Sequence, residues 1–236
     1  MAIKITTTQI ATDFVKVLVF GDSGVGKTRL IATAPNPIII SAERGLLSLR
    51  EFNLDAIEVS TLEDFYEAYE YVISEEAEKY DTICLDSVSE IAEVMISSFK
   101  KEHKDGRQAY GRLNDEMLEL IRAFRDIPEK HIYFSAKQGR IEDTATGIAK
   151  YKPMMPGKTL VQQLPYLFDE VLCLKIWEDE DGKKSRYLQT QPSITTDAKD
   201  RSGTLEDPEW EPDLTEIFAR IKSGEKLENK EENKDG

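Results

Sequence analysis

The chain has 236 residues and a formal net charge of −14 at pH 7, from 31 lysines and arginines against 45 aspartates and glutamates. Hydrophobic residues make up 40%, which supplies the core of one domain or two small ones and excludes global disorder. No apolar run approaches the ~20 residues of a membrane span, the start has no stretch resembling a signal peptide, and the acidic balance argues against broad electrostatic attraction to nucleic acid.

Apolar strands alternate with amphipathic helices through most of the sequence. Strands are predicted at 15–20, 37–41, 56–60, 81–87 and 131–136, and helices at 27–34, 61–80, 88–101, 112–126 and 212–223. Near-continuous apolar strands separated by helices predict a mainly parallel central sheet with helices on both faces. The predicted fold class is therefore α/β.

The last third of the sequence predicts a different arrangement of strands. Strands at 169–177 and 186–191 flank the turn sequence EDEDGKKS, which predicts a late antiparallel hairpin at one edge of the sheet. Segment 139–165 has weak periodicity and is predicted to be a long loop with a short helix. The predicted division of the chain is an N-terminal extension at 1–13, a core at 14–223 and a charged, disordered tail at 224–236.

The string GDSGVGKT, at residues 21–28, matches the phosphate-loop pattern G-x-x-x-x-G-K-[ST] between an apolar strand and a helix. Its glycines let successive backbone N–H groups turn toward phosphate. Lys27 would reach the β- and γ-phosphates, and the Thr28 hydroxyl would hold Mg²⁺. The predicted nucleotide-binding residues are Gly21, Asp22, Ser23, Gly24, Val25, Gly26, Lys27, Thr28 and Arg29.

Asp86 ends the apolar run DTICLD and is the second candidate metal-site residue, beside Thr28. The carboxyl end of a parallel strand brings its carboxylate to the same edge of the sheet as the phosphate loop, where a carboxylate suits a hard cation such as Mg²⁺. A cap of the following helix is the alternative role for this residue.

The phosphate loop is also typical of small GTPases, and FSAK at 134–137 resembles their guanine-side S-A-K element. A GTPase would also need D-x-x-G soon after the second metal-site strand, and DTICLDSVSE has no such glycine. It would need N-K-x-D at a strand end, and the N-K strings, at Asn229 and Asn233, lie in the tail. The sequence therefore shows no motif that would recognise guanine.

The order of motifs between Phe14 and Ile176 resembles that of RecA-like P-loop ATPases. PIIISAERGL puts Glu43 where that family has the glutamate that polarises the attacking water as general base. ICLDS resembles the Walker B strand of the family. IYFSAKQGR resembles its next strand, which ends in a polar residue that senses the γ-phosphate, and here either Gln138 or the adjoining Lys137 has that place.

In size and layout the chain resembles small phage-encoded RecA-like recombinases of the single-strand annealing class. The resemblance implies an ATPase that is stimulated by single-stranded DNA, uses ATP and Mg²⁺, and promotes annealing or strand exchange in the cytoplasm of a bacterial host. It also implies a homo-oligomer with nucleotide at its subunit interfaces, and a single-strand-binding protein as a further partner. The fold it implies is a RecA-like core.

In RecA-like recombinases two mobile loops face single-stranded DNA, and this chain has basic segments with aromatic residues at both places. The candidate DNA contacts of the first segment are Lys100, Lys101, Lys104, Arg107, Tyr110 and Arg112. Those of the second segment are Arg140, Lys150, Tyr151, Lys152 and Lys158. The alternative for both segments is an ordinary solvated surface.

RecA-like ATPases also take positive charge for the γ-phosphate from a neighbouring subunit. Lys199 and Arg201 are the candidates here, since they follow the late hairpin and would share one face of a strand. A GTPase, a small-molecule kinase and a nucleotide-gated regulatory protein stay open as alternative functions. A kinase would have an arginine-bearing lid over the phosphates, and segment 139–158 could be mistaken for such a lid.

Overall fold

The computed structural model describes residues 14–43, 45–142 and 146–225. The strands are β1 Lys16–Gly21, β2 Pro37–Ser41, β3 Asp55–Glu58, β4 Thr82–Asp86, β5 His131–Glu142, β6 Ala149–Pro153, β7 Glu170–Glu178, β8 Lys184–Gln189, β9 Lys199–Asp200 and β10 Glu209–Trp210. The helices are α1 Lys27–Leu30, α2 Leu62–Val72, α3 Val88–Glu102, α4 Gly106–Arg125, α5 Lys158–Gln163 and α6 Leu214–Ser223. Short 3-10 helices span Ile31–Thr33, Leu46–Leu49, Glu75–Ala77 and Leu164–Leu167.

The strands form one sheet in the order β10-β8-β7-β1-β5-β4-β2-β3. The neighbours from β7 through β3 pair in parallel, whereas β8 pairs antiparallel with β7 and β10 antiparallel with β8. β6 pairs with the far end of β5, and β9 with the start of β7. The predicted α/β fold, with a mainly parallel sheet and an antiparallel hairpin at one edge, is confirmed.

Both faces of the central strands are buried, which explains why they read as continuous apolar runs. In β1, Leu18 and Phe20 pack into the core under α2, α3, α4 and α5, while Val17 and Val19 pack into the core under α1 and α6. Successive side chains of a strand point to opposite faces, so a strand covered on both sides needs apolar residues at every position. The central strands end in polar or glycine residues at one edge, where the site lies.

Three segments differ from the predictions. The helix predicted at 61–80 ends at Val72. The helix predicted at 112–126 already begins at Gly106, because Asp105 caps it by accepting a hydrogen bond from the backbone N–H of Arg107. The long loop predicted at 139–165 is wrong in its first half, since β5 continues to Glu142 and pairs with β6. The first candidate DNA segment is therefore a corner between two helices.

The predicted extension at 1–13 lies outside the described residues, as does nearly all of the predicted tail. Within the described ranges no helix is long and apolar enough to cross a membrane.

The edge hairpin, residues 170–189 with β7 and β8, extends past the end of β1. Gly21, the last residue of β1, pairs with Leu174, and β7 continues from there to Glu178. Aromatic rings cover this extension: Trp177 and Trp210 have centroids 5.9 Å apart, and Tyr187 lies 4.9 Å from Trp210. The two tryptophans are 49% and 46% exposed, so the cluster lies at the surface.

At the other end of the hairpin, Glu170 is a buried carboxyl group with 1% exposure. One of its oxygens accepts a hydrogen bond from the backbone N–H of Ser202. Burial, and after it the nearby Asp200 carboxylate, raise the pKa of Glu170 from the ordinary 4.5 to about 8. The folded protein therefore keeps a proton at neutral pH that the unfolded chain has lost.

The free energy of unfolding is expected to carry a contribution from Glu170 that decreases as pH rises from about 4.5 to about 8, because the unfolded state binds fewer protons over that window. Glu170→Gln should remove this contribution, so the variant should gain stability relative to the parent by a few kcal/mol as pH rises. Urea unfolding at several pH values measures it. Glu178→Gln, at an exposed carboxylate of the same strand, is the control. Parallel pH curves for parent and Glu170→Gln would contradict the assignment.

Candidate functional site

The phosphate loop joins the end of β1 to the start of α1. Gly24 and Gly26 have φ angles of 77° and 107°, in the left-handed region that favours glycine. A Cβ atom at Gly21 would lie 2.6 Å from the backbone oxygen of Leu174 on the adjacent strand. Gly24 and Gly26 are therefore needed for the backbone conformation of the loop, and Gly21 for its close packing against β7.

Lys27 lies inside this loop. Its Nζ donates hydrogen bonds of 2.9 Å to the backbone oxygens of Gly21 and Asp22. Burial lowers the pKa of Lys27, and the nearby carboxylates of Glu43 and Asp86 oppose that shift. A phosphate group at the loop would offer the ammonium charged acceptors in place of neutral carbonyls.

Asp86 is the buried carboxylate of the site, with 1% exposure. The Thr28 hydroxyl donates to one of its oxygens at 2.7 Å, and the Ser135 hydroxyl donates to the other. Burial raises the pKa of Asp86, while these two hydrogen bonds oppose the shift. The structure thus brings together the two residues predicted to hold a metal ion.

The donor set fits Mg²⁺. Thr28 and Asp86 offer a hydroxyl and a carboxylate oxygen, the hard ligands that this ion prefers. Among the described residues no group of three or more His, Cys, Asp or Glu side chains is placed to hold a metal ion. A magnesium ion bound through one carboxylate completes its coordination with water and substrate phosphate, so this sparse protein set suits it.

Glu43 lies beside the metal-site residues. It follows β2, whose last residue, Ser41, pairs with Asp86, and the Ser87 hydroxyl donates a hydrogen bond to its carboxylate. The backbone N–H of Ala42 donates to the Asp86 carbonyl at 2.9 Å, which fixes the turn that carries Glu43. Glu43 is exposed, so its carboxylate has access to water.

Gln138 and Lys137 lie at the same edge, because Gly21 pairs with Lys137 on β5. Lys137 forms ion pairs with Glu90 at 2.5 Å and Glu93 at 3.2 Å on α3. The side-chain oxygen of Gln138 accepts a 3.5 Å contact from Cys173 Sγ. The lysine is thus engaged by helix carboxylates, which leaves the glutamine with the freer side chain at the phosphate edge.

The other residues of the predicted loop have local partners. The backbone N–H of Ser23 donates to the Asp22 carboxylate at 2.9 Å. Arg29 pairs with Glu51 at 2.7 Å and lies over the Phe52 ring, 5.3 Å from its centroid. Its guanidinium is therefore held on the outer side of α1.

Three residues at the site have no counterpart in the sequence predictions. Ser135 bonds to Asp86, and the fully buried Tyr133 donates from its hydroxyl to the Lys27 carbonyl at 2.8 Å. Arg186 of the edge hairpin donates to the Val25 carbonyl of the phosphate loop at 2.8 Å. The polar Ser135 within the apolar run IYFSA is the one signal that the sequence offered for any of them.

The second candidate DNA segment forms a cationic groove, a cavity of about 1100 Å³ beside the β5–β6 hairpin and α5. Its charged lining residues are the four predicted cations, Arg140, Lys150, Lys152 and Lys158, and one carboxylate, Glu142. Its walls also contain apolar side chains, among them Ile148, Met154 and Ile194, which are 43%, 42% and 75% exposed. Tyr151 alternates to the other face of β6 and is not part of the lining.

Asp197 neutralises part of the charge of this groove. It forms ion pairs with Lys150 at 2.7 Å and with Lys152 at 3.1 Å. The segment that carries it is bound to β6 by backbone hydrogen bonds, from Asp197 to Tyr151 at 2.9 Å and from Tyr151 to Thr195 at 2.7 Å. One carboxylate thus bridges the two lysines that are predicted from the sequence to contact DNA phosphates.

The first candidate DNA segment lies at the rim of the same groove. Tyr110 of α4 lies 3.4 Å from the place that a Cβ at Gly157 would take, and Lys100 lies over its ring, 5.1 Å from the centroid. Arg112 is paired with Glu102 and Glu116 and covers the ring of Phe99, which is fully buried and presents no stacking surface. The remaining cations of this segment, Lys101, Lys104 and Arg107, are exposed.

Lys199 and Arg201 lie toward the opposite end of the strands from the phosphate loop. Lys199 is in β9 and pairs with Val171 at the start of β7, and Arg201 directly follows β9. The loop lies level with Leu174, roughly 10 Å further along β7 from Val171. Lys199 donates to the carbonyls of Pro165 and Phe168, and Arg201 pairs with Asp169 at 2.6 Å. Both cations are therefore used inside their own chain.

Comparison with known proteins agrees with this architecture. Residues 13–202, well over half of the chain, match a family model described as an AAA domain. No curated protein matches the chain. The family implies nucleotide binding with Mg²⁺, for which Lys27, Thr28 and Asp86 are the converging residues. The chain belongs to the AAA domain family of phosphate-loop ATPases.

Proposed function

We propose that this protein is an ATPase of RecA-like organisation that acts on single-stranded DNA. The observation that carries the proposal is the course of β5. One continuous strand supplies Ser135 to the Asp86 carboxylate, places Lys137 and Gln138 at the phosphate edge, and continues with Arg140 into the cationic groove.

The site has the groups that hydrolysis of a nucleoside triphosphate needs. Lys27 and the loop N–H groups hold the phosphates, and Thr28 and Asp86 hold Mg²⁺, which supplies positive charge to the phosphate oxygens when bound. Glu43 accepts a proton from a water molecule whose oxygen forms a bond to the γ-phosphorus, and the bond from that phosphorus to the β-phosphate bridging oxygen breaks. The products are ADP and phosphate.

The groove suits single-stranded DNA by its chemistry. Lysines and an arginine line a surface that also exposes apolar side chains, so backbone phosphates and unstacked bases each find a partner. Asp197 neutralises part of this charge in the free protein. A backbone phosphate has the charge and the oxygens to replace that carboxylate between Lys150 and Lys152.

The groove and the phosphate edge are joined by direct contacts. The backbone N–H of Met154, a groove residue, donates to the Lys137 carbonyl at 2.7 Å. The Ser89 hydroxyl at the start of α3 donates to the Met154 carbonyl and accepts from the Lys137 N–H. Displacement of Met154 by bound DNA would therefore pull on Lys137 and on the helix that follows Asp86. We do not propose Lys199 and Arg201 as trans cations, because both have partners within their own chain at the far end of the strands.

Lys27→Ala is expected to abolish measurable ATP binding, because the phosphates lose the Lys27 ammonium inside the loop. Calorimetric titration with ATP and Mg²⁺ measures the change. Lys79→Ala, an exposed lysine paired with Asp55 beside the distant β3, is the control and should bind as the parent does. Tight ATP binding by Lys27→Ala would contradict the phosphate site.

Glu43→Gln is expected to leave ATP affinity nearly unchanged and to lower kcat by roughly 10²–10⁴-fold, because the amide keeps the shape but cannot accept the proton. Steady-state phosphate release compared with the calorimetric Kd separates the two quantities. Glu90→Gln, at a carboxylate engaged by Lys137, is the comparison variant. An unchanged kcat for Glu43→Gln would exclude it as the base.

Single-stranded DNA is expected to stimulate ATP hydrolysis by the parent protein and to bind with a strong salt dependence. The double variant Lys150→Ala, Lys152→Ala should lower DNA affinity and reduce the log–log salt slope by about 0.7 for each phosphate that no longer has a lysine beside it. Asp197→Asn should have the opposite effect on affinity, since the competing carboxylate is gone. Fluorescence anisotropy of a labelled oligonucleotide across salt concentrations measures the affinities and the slope.

The outcomes separate the two parts of the proposal. ATP hydrolysis that single-stranded DNA neither stimulates nor inhibits, together with no oligonucleotide binding, would leave an ATPase and contradict the DNA function. An unchanged salt slope in the lysine variant would move the DNA contact from the groove to the corner at Lys101, Lys104 and Arg107.

A further inference from the structure

Arg186 lies outside the phosphate-loop motif and yet contacts the loop directly. Its Nε donates to the Val25 carbonyl at 2.8 Å, and a Cβ atom at Gly26 would lie 2.7 Å from that nitrogen and 3.6 Å from Cζ. The Arg186 side chain therefore packs through its Nε and Cδ atoms against the last turn of the loop, directly before Lys27. A side chain at position 26 would displace Arg186. Position 26 therefore requires glycine for two reasons: the close approach of Arg186 and the φ angle of 107°.

The backbone of the edge hairpin fixes Arg186 in this position. Arg186 pairs with Ile176 on β7, and its carbonyl accepts a 2.8 Å hydrogen bond from the backbone N–H of Glu211. Its own N–H donates to the Glu211 carboxylate at 3.2 Å. The side chain is thus anchored on both sides of the strand, and the hairpin holds it over the loop.

The charge of Arg186 is not neutralised where it lies. Among the described residues, no carboxylate pairs with its guanidinium, and its two terminal amino groups have no hydrogen-bond partner. Lys184, two positions earlier on the same face of β8, pairs instead with Glu178 at 3.3 Å. Arg186 is thus an arginine held against a phosphate-binding loop with most of its donors unused.

We propose that Arg186 is a second cation of the nucleotide site, supplied by the same chain. Its Nε supports the loop through Val25, and its terminal amino groups donate to the phosphate chain of a bound nucleoside triphosphate. A guanidinium presents several donors in a plane and matches phosphate oxygens better than a single ammonium does. This inference rests on the nucleotide-binding part of the proposed function.

The experiment separates a charge that contacts phosphate from a side chain that only supports the loop. Arg186→Gln keeps an amide that can donate to the Val25 carbonyl and removes the charge, whereas Arg186→Lys keeps the charge. Lys184→Gln removes a neighbouring charge from the same face and is the matched control. Calorimetric titration of each protein with ATP and with ADP, at low and high salt, gives the affinities, and thermal unfolding without nucleotide gives the stability.

Arg186→Gln is expected to bind ATP about tenfold more weakly than the parent at low salt, as suits the loss of one charge-assisted hydrogen bond. The loss should shrink at high salt. Arg186→Lys should recover part of the affinity, Lys184→Gln should match the parent, and the unliganded Tm of Arg186→Gln should stay near the parent's.

Two results would overturn the inference alone: ATP affinity of Arg186→Gln equal to that of the parent, or an equal loss in Arg186→Gln and Arg186→Lys that salt does not change and that accompanies a lower Tm. The second result would identify a purely structural support. Failure of the parent protein itself to bind ATP or ADP would overturn the proposed nucleotide site and this inference with it.

Discussion

The Asp86 carboxylate, buried at the end of β4, takes hydrogen bonds from the hydroxyls of Thr28 and Ser135. Burial of a carboxylate without such donors would cost free energy, so the two hydroxyl groups stabilise the buried charge of Asp86. These two hydrogen bonds join β4 to the helix that follows the phosphate loop, through Thr28, and to β5, through Ser135. The Asp86 carbonyl also accepts from the N–H of Ala42, which adds the strand end that carries Glu43. The whole edge is organised around this residue.

β5 connects this site to the cationic groove. Its first half lies in the parallel sheet beside β1 and β4, and its second half pairs antiparallel with β6 and forms a wall of the cationic groove. One strand therefore carries both a wall of the groove and the residues level with the phosphate loop. Ser89, at the start of α3, is hydrogen-bonded both to Met154 of the groove and to Lys137 of β5, so the helix that follows Asp86 contacts both regions.

Much of this edge could be predicted because its information is local. The phosphate loop is a contiguous motif. Asp86 ends one apolar strand and Glu43 comes shortly after another, and the ends of these two strands meet in the parallel sheet. The roles of Tyr133 and Arg186 could not be predicted, since their hydrogen bonds span 106 and 161 positions of the chain. The β5–β6 hairpin was missed because the apolar run of β5 is followed by the polar stretch KQGR, which indicated a loop, and the start of α4 was missed because Gly106 and Gly111 weaken the helical pattern.

The aromatic cluster on the edge hairpin has a consequence for how the protein can be observed. Trp177 and Trp210 are the two tryptophans of the chain, they contact each other, and both are half exposed. Trp210 also packs on Tyr187, the residue next to Arg186. Indole emission from the whole protein therefore originates at one corner, from Trp177 on the edge hairpin and from Trp210 on β10, which pairs with that hairpin. The native chain carries its own optical probe of that corner, without any attached label.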